Sequence, residues 1–283
     1  MIIYDKCSNI DIETVYEGFK SGFSDYIIKI ELSKEDFIKR FFGPEGNNLE
    51  YSFIALEDGK PVGLILGGIK VYEGVKTLRC GTLCIHPEYR GKGVSKALFE
   101  RHKQVGLNHG CKQMFLEVIV GNDRAIKFYE KLGYSKVYDI NYYSHKHPAT
   151  LQRDLTNLID IREVEFETLL NLADKINDVH VNWQNDFDYM KKIENLIYYG
   201  FYQESEIIGV LSITPNGKIF FIWTNPHHRH KGTALSLIIK ATKELKINTL
   251  NISFPNNASI GGFLKHVKFE KDNISQYEMY LTI

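Results

Sequence analysis

The sequence predicts an α/β protein with mixed sheets, built as two tandem copies of one domain. Three observations lead there. The stretch "HPEYRGKG" (86–93) returns as "NPHHRHKG" (225–232), both reading X-Pro-X-X-Arg-X-Lys-Gly, with Arg229 lying 139 residues after Arg90. Each stretch follows three β-rich apolar runs and precedes a helix, a strand and a second helix. A repeat of that length is a domain, and 283 residues suffice for two domains, each with its own core. The expected domains are 1–146 and 154–283, joined by the polar linker "HKHPATLQRD" (145–154).

The elements follow in order. A short strand around Ile2 to Tyr4 precedes helices at about 11–21 and 33–42; Ser33 with Asp36 reads as an N-cap with an acidic first turn. "YSFIALEDGKPVGLILGGIKVYEGVKTLRCGTLCI" contains three strands turning at Asp58-Gly59 and Glu73-Gly74. After the "YRGKG" loop, Val94, Ala97, Leu98, Arg101 and Val105 fall at helical spacing. The strand "KQMFLEVIV" and a helix from Arg124 to Leu132, closed by Gly133, follow, and "YSKVYDINYYSH" holds two strand-like runs. The second half repeats this order. It has a strand "LIDIREV", helical stretches at 165–177 and 186–196, three strands turning at Glu204-Ser205 and Asn216-Gly217, the loop "HHRHKG", a helix to about Lys246, the strand "TLNISF", a short helix and a closing strand.

Composition excludes some classes. Thirty-five basic and 35 acidic residues cancel, so charge does not point to nucleic acid. The start lacks the basic and apolar regions of a signal peptide, and no apolar run approaches the ~20 residues that cross a bilayer, so no membrane partner and a cytoplasmic location are expected. The four cysteines form no C-x-x-C pair and read as reduced thiols. Cys80 and Cys84, four apart in a strand, are expected on one face as small buried hydrophobes.

In "HPEYRGKGVSKAL" a strand ends at Ile85, Pro87 stops it, and Gly91 and Gly93 let the backbone turn into a helix. Such a turn aims unpaired N–H groups and a helix dipole at one spot, where Arg90 and Lys92 add charge: a site for a pyrophosphate. A plain capped strand-to-helix turn explains the glycines but not the basic pair. The Rossmann and Walker A patterns are absent. His227, His228 and His230 surround Arg229 inside the second loop and read as the flank of a phosphate loop; no metal is expected.

The pattern that fits is Arg-x-x-Gly-x-(Gly/Ala), here Arg90-Gly91-Lys92-Gly93-Val94-Ser95, with Ser95 departing at the last position. It resembles the acetyl-CoA loop of the GCN5-related N-acetyltransferases (GNAT). "LEVIVGNDRAIKFYEKLGYSK" (116–136) is similar to that family's second signature, and the resemblance covers essentially residues 1–145. It implies acetyl-CoA as co-substrate, with Leu83, Cys84 and Ile85 pairing by backbone with the pantetheine arm, an N–H there polarising the thioester carbonyl, and Asn122 near the arm. It implies Tyr129 as the hydroxyl beside the leaving sulfur, the alternative being a half-buried helix aromatic. Glu117 matches the carboxylate that takes the amine's proton in several members, the alternative being a solvated strand carboxylate. Asp25 and Tyr26, in "GFSDYIIKI" (22–30), fall where the family binds its acceptor, or are loop polar residues.

The second loop, Arg229-His230-Lys231-Gly232-Thr233-Ala234, satisfies the pattern fully. Its second signature has decayed: Asn251 stands for Glu117, Leu264 for Tyr129, and Gly261-Gly262 is expected to break the helix. The reading is a degenerate second copy beside an active first one. The activity is acetyl transfer from acetyl-CoA to a primary amine, small molecule or peptide, directly in a ternary complex. Two alternatives are a tandem acyltransferase of the mycothiol synthase type with the second copy active, and a non-catalytic acyl-CoA-binding module. Exposed sheet edges allow a homodimer.

Overall fold

A computed structural model describes residues 1–152, 160–176 and 179–283. The expected domain start at Asp154, Leu158 and Ile159 of the expected strand, and Asn177 lie outside them. The chain forms two compact units, residues 1–137 with 277–283, and residues 138–276. The first unit is completed by the end of the chain.

In the first unit, β1 (Ile2–Lys6) leads to α1 (Ile12–Gly22) and α2 (Lys34–Phe41). Asp11 caps α1 by accepting from Thr14 N at 2.9 Å, and Ser33 caps α2 by accepting from Asp36 N at 3.0 Å. The strands β2 (Asn48–Glu57), β3 (Lys60–Tyr72) and β4 (Val75–Ile85) form an antiparallel meander. Its hairpins turn at Asp58-Gly59 and Glu73-Gly74, all four residues with positive φ, which matches the twist of the strands they join. After α3 (Val94–Asn108), β5 (Gln113–Ile119) pairs parallel to β4, and α4 (Asp123–Lys131) ends at Gly133 with φ 96°. The sheet order is β1-β2-β3-β4-β5, with the end of β12 (Glu270–Thr282) next to β5. Two apolar clusters cover its faces. One joins Phe19, Phe37 and Phe41 of α1 and α2 to Ile54, Leu64 and Cys84. The other joins Val94 and Leu98 of α3 and Tyr129 of α4 to Ile65, Leu78 and Cys80. Burying each large side chain contributes about 1.5–3 kcal/mol, which is what holds helices of this length on a sheet.

One long strand, β6 (Ser135–His145), replaces the two runs expected there and carries the chain into the second unit. There follow β7 (Asp160–Val164), α5 (Phe166–Leu170), α6 (Phe187–Met190), the meander β8 (Ile197–Gln203), β9 (Glu206–Ile213) and β10 (Lys218–Thr224), then α7 (Thr233–Leu245), β11 (Leu250–Pro255), α8 (Ala258–His266) and β12. Both expected helical stretches before β8 are shorter than their sequence patterns. Within this unit the order is β6-β11-β10-β9-β8-β7. The helix α8 is continuous through Gly261 and Gly262, contrary to expectation. The Asn257 side chain accepts from both Ser259 N and Ile260 N, and Leu264 is fully buried beneath the helix. Capping and burial together exceed the ~1 kcal/mol per glycine that the backbone loses.

Candidate active site

The turn from β4 into α3 begins with a 3-10 turn at Pro87–Tyr89. Gly91 (φ 75°) and Gly93 (φ 84°) then take left-handed backbone, and a Cβ at either would meet nothing within 4 Å, so the cradle in front of them is open. Gly93 caps α3 without a side-chain bond, and the first helical bond is Ala97 N to Gly93 O at 3.0 Å. The N–H groups of Val94, Ser95 and Lys96 therefore have no helical acceptor, which is the electrostatic requirement of an anion site. Lys92 lies over the Tyr89 ring at 4.8 Å, and Tyr89 donates to Glu57 at 2.6 Å.

The Arg90 side chain points away from that cradle. Its Nε donates to Ile85 O at 3.1 Å, Nη1 and Nη2 each donate to an oxygen of Asp25 at 2.5 Å, and Nη2 also reaches Gly22 O at 3.4 Å. This pairing holds the Asp25 carboxyl below its ordinary pKa. The neighbouring Tyr26 hydroxyl lies beside the Asn122 side chain, and the Tyr26 ring packs edge-on against Phe23 at 4.9 Å. Asn122 also caps α4, its Oδ1 accepting from Ala125 N at 3.3 Å.

Strands β4 and β5 pair only at Thr77–Arg79 against Gln113–Phe115; beyond these they splay. On its other edge β4 stays bonded to β3 as far as Ile85; beyond Arg79 no β5 residue pairs with it, and of the backbone groups at Leu83–Ile85 facing the splay Ile85 O accepts from Arg90 Nε, which leaves the rest of that edge suited to an extended arm. Gly81 is an extra residue in β4, since Thr82 pairs with Leu66 and Cys80 with Gly67. That bulge overturns the expectation that Cys80 and Cys84 share a face. One added residue reverses the alternation, so Cys80 packs in the α3–α4 cluster and Cys84 in the α1–α2 cluster. Both thiols are buried, and burial pushes Cys80 up to about 12 and raises Cys84 as well.

Tyr129 is 8% exposed, and its hydroxyl lies near enough to the Cys80 thiol for each to act on the other's ionisation, which puts it near the start of the splay. Burial raises its pKa well above the ordinary tyrosine value, so it is a neutral O–H donor at pH 7. Glu117 is buried rather than solvated. Its Oε2 accepts from Arg79 Nη2 at 2.5 Å, while Arg79 Nη1 donates to Glu45 Oε2 at 2.6 Å. Burial pushes Glu117 up to about 7, with Arg79 opposing and the nearby carboxylates of Glu45 and Glu278 adding. Its Oε1 takes no hydrogen bond from the protein. The sequence reading missed Arg79, Glu45 and Glu278. An arginine inside the apolar run "TLRCGTLC" was a usable signal, because a buried guanidinium requires carboxylate partners. Nothing in the sequence singled out Glu45 or Glu278.

The second unit repeats the loop. Pro226–His228 form the 3-10 turn, Arg229 Nε donates to Thr224 O at 3.1 Å, and Gly232 has φ 79°. His230 takes the place of Gly91 with φ 60°. The ladder of β10 and β11 is also short, Lys218 and Ile219 facing Asn251 and Ile252, and Phe220 is an extra residue like Gly81. Register corrects one expectation. Glu117 lies two residues past Phe115, the partner of Arg79, and Ser253 lies two past Asn251, the partner of Lys218, so Ser253 and not Asn251 occupies the Glu117 position. The cause is a connection to the helix cap that is one residue shorter in the second copy. Beside this loop is a cavity of about 760 Å³ lined by, among others, Trp223, Arg229, His230, Thr233, Asn257 and Phe263.

A meander, a splayed parallel pair with a bulge, and a glycine-bearing turn opening a helix recur in both units. The sequence pattern of the acetyltransferase (GNAT) family matches residues 12–134. The chain is similar to N-alpha-acetyltransferase 30 of Schizosaccharomyces pombe, 36% identical over 89 residues, covering 31% of this chain and 59% of that protein. It is 38% identical over 76 residues to an acetyltransferase of Sodalis glossinidius, covering 27% of this chain and 51% of that one. The chain thus spans about half the length of the curated relatives it matches. Its fold is similar to a tandem GNAT protein from the clavulanic acid biosynthesis pathway (TM-score 0.71, 12% identity, 100% of this chain and 98% of that one). A GCN5-related N-acetyltransferase from Sphaerobacter thermophilus has TM-score 0.67 at 13% identity, covering 99% and 95%.

Proposed function

We propose that the chain transfers an acetyl group from acetyl-CoA to a primary amine, and that the first unit does the chemistry. The observation that carries this is the Tyr129 hydroxyl at the mouth of the β4/β5 splay, where the second copy has Leu264. The cradle fits the co-substrate: open space before Gly91 and Gly93, uncapped N–H groups at 94–96 and Lys92 suit a pyrophosphate, and the β4 edge at Leu83–Ile85, where β5 no longer pairs, suits an extended arm. When bound, acetyl-CoA supplies the activated thioester.

The residues then divide the work. Backbone N–H groups on the β4 edge past the Gly81 bulge hold the carbonyl oxygen as charge develops on it. Glu117, poised near neutrality, takes the proton that an alkyl ammonium must lose before its nitrogen can attack. The new N–C bond forms, the C–S bond breaks, Tyr129 gives its proton to the departing thiolate, and the second proton shed by the acylated nitrogen restores the tyrosine hydroxyl. Asp25, Tyr26 and the rest of 22–30 border the acceptor's approach. Direct transfer is favoured because burial keeps Cys80 and Cys84 protonated and non-nucleophilic.

The test is incubation with acetyl-CoA and a panel of amines, peptide N-termini included because the fission-yeast relative is named for them. Acetylated product by mass spectrometry with no acetyl adduct on the protein is expected. An acetylated cysteine would overturn direct transfer. A second reading, that the second unit binds a CoA-like ligand without turnover, draws support from its cavity beside a complete loop pattern. Calorimetry reads it as two sites per chain rather than one.

A further inference from the structure

Two consecutive residues of the segment between α1 and α2 reach the two banks of the splay. Asp25 holds Arg90, on the loop that leaves β4, by two charge-assisted hydrogen bonds; the Tyr26 hydroxyl lies beside the Asn122 side chain, on the loop that leaves β5. The charge of Arg124, in the first turn of α4, also acts on Asp25. Among the described residues, these are the polar contacts by which 24–31 reach beyond α1 and the segment itself. Ile30 supplies apolar packing, and Ile27 is 61% exposed. The sheet does not tie the banks together, because the β4–β5 ladder ends at Arg79 and Phe115.

Resting on the reading that acetyl-CoA enters this splay, we infer that Asp25 and Tyr26 are positioning residues. They strap the acceptor segment across the splay, so that filling it sets where that segment lies. Arg90 supports this directly. Its Nε is engaged by Ile85 O and both terminal nitrogens by Asp25 and Gly22, so its guanidinium acts on the protein rather than on a phosphate. An arm laid against the β4 edge presses on both banks, and the strap is the element that bridges them. Asp25 then serves the acceptor indirectly, by fixing the segment, instead of pairing with its ammonium.

Hydrogen exchange of the full chain, free and with CoA, tests this on the wild type, Asp25→Asn/Tyr26→Phe and Asp25→Glu. In the free protein the double variant should exchange about tenfold faster over 23–32, with α3 and β2 unchanged. CoA should slow exchange over 23–32 in the wild type and in Asp25→Glu. In the double variant it should leave that segment unchanged although affinity by calorimetry stays within about threefold. Once an acceptor is in hand, its KM should rise with little change in the KM for acetyl-CoA, and Asp25→Glu should recover most of the loss. Unchanged exchange over 23–32 in the free double variant overturns the strap. So does loss of CoA binding in that variant alone, which would place Asp25 and Tyr26 in the CoA site itself. Absence of CoA binding in the wild type would instead overturn the proposed function, while the free-protein comparison still judges the strap.

Discussion

The two loops share nearly every backbone bond. Tyr89 N to His86 O is 2.9 Å in the first, and His228 N to Asn225 O is 2.8 Å in the second. Ala97 N to Gly93 O and Ser236 N to Gly232 O are both 3.0 Å. Each arginine folds its Nε back 3.1 Å to the carbonyl that ends its strand. Downstream, Tyr134 N bonds Tyr129 O at 3.1 Å, and Phe269 N bonds Leu264 O at 2.9 Å. What differs is side-chain chemistry: a hydroxyl became an isobutyl group, a carboxylate became a hydroxyl, and a glycine in left-handed backbone became histidine. The lesson is that a loop-and-helix scaffold can be kept while the side chains around it differ, because the scaffold is made of backbone bonds and buried apolar contacts.

The sharpest challenge to that contrast is to exchange the hydroxyl. Tyr129→Phe should lower kcat by about 10²–10⁴-fold in CoA-thiol release assays, and Leu264→Tyr should add no turnover. Turnover surviving in Tyr129→Phe would place catalysis in the second copy. Next comes the carboxylate. With Glu117 near 7, kcat/KM should rise with pH and level off above about 7, since a base works only when deprotonated. In Glu117→Gln the acidic limb should vanish and the plateau fall by about 10²-fold. Ser253→Glu should change nothing.

A smaller effect separates the glycines. Gly93→Ala forces a Cβ into left-handed backbone at a cost of about 1–2 kcal/mol, so acetyl-CoA affinity should weaken about 5- to 30-fold by calorimetry. Gly232→Ala should leave turnover intact; if it abolishes turnover instead, the assignment of the working copy reverses. The smallest effect concerns strain alone. His230→Gly should raise the urea midpoint by up to about 1 kcal/mol equivalent, and Gly91→Ala should lower it similarly.

Much of this was legible without coordinates. Capping at Ser33, the turns at Asp58-Gly59 and Glu73-Gly74 and the repeated loop are local, set by residues a few positions apart. Expectations failed where distant residues decide. The bulge at Gly81 split Cys80 from Cys84, the shorter second connection moved the Glu117 position from Asn251 to Ser253, and packing kept α8 continuous through two glycines. The Arg79–Glu45–Glu117 cluster joins residues 34 and 38 positions apart, and no periodicity announces such a meeting.

By itself the sequence determined the repeat, the element order, the loops and the leucine that stands at the Tyr129 position in the second copy, all properties of residue identity at short spacing. Tertiary structure alone decided that Glu117 is buried against Arg79 and poised near neutrality, that Tyr129 faces Cys80, and that Asp25 belongs to Arg90. The physical reason is that ionisation and pairing depend on the dielectric and partners that folding supplies, and those come from parts of the chain whose separation carries no local signal.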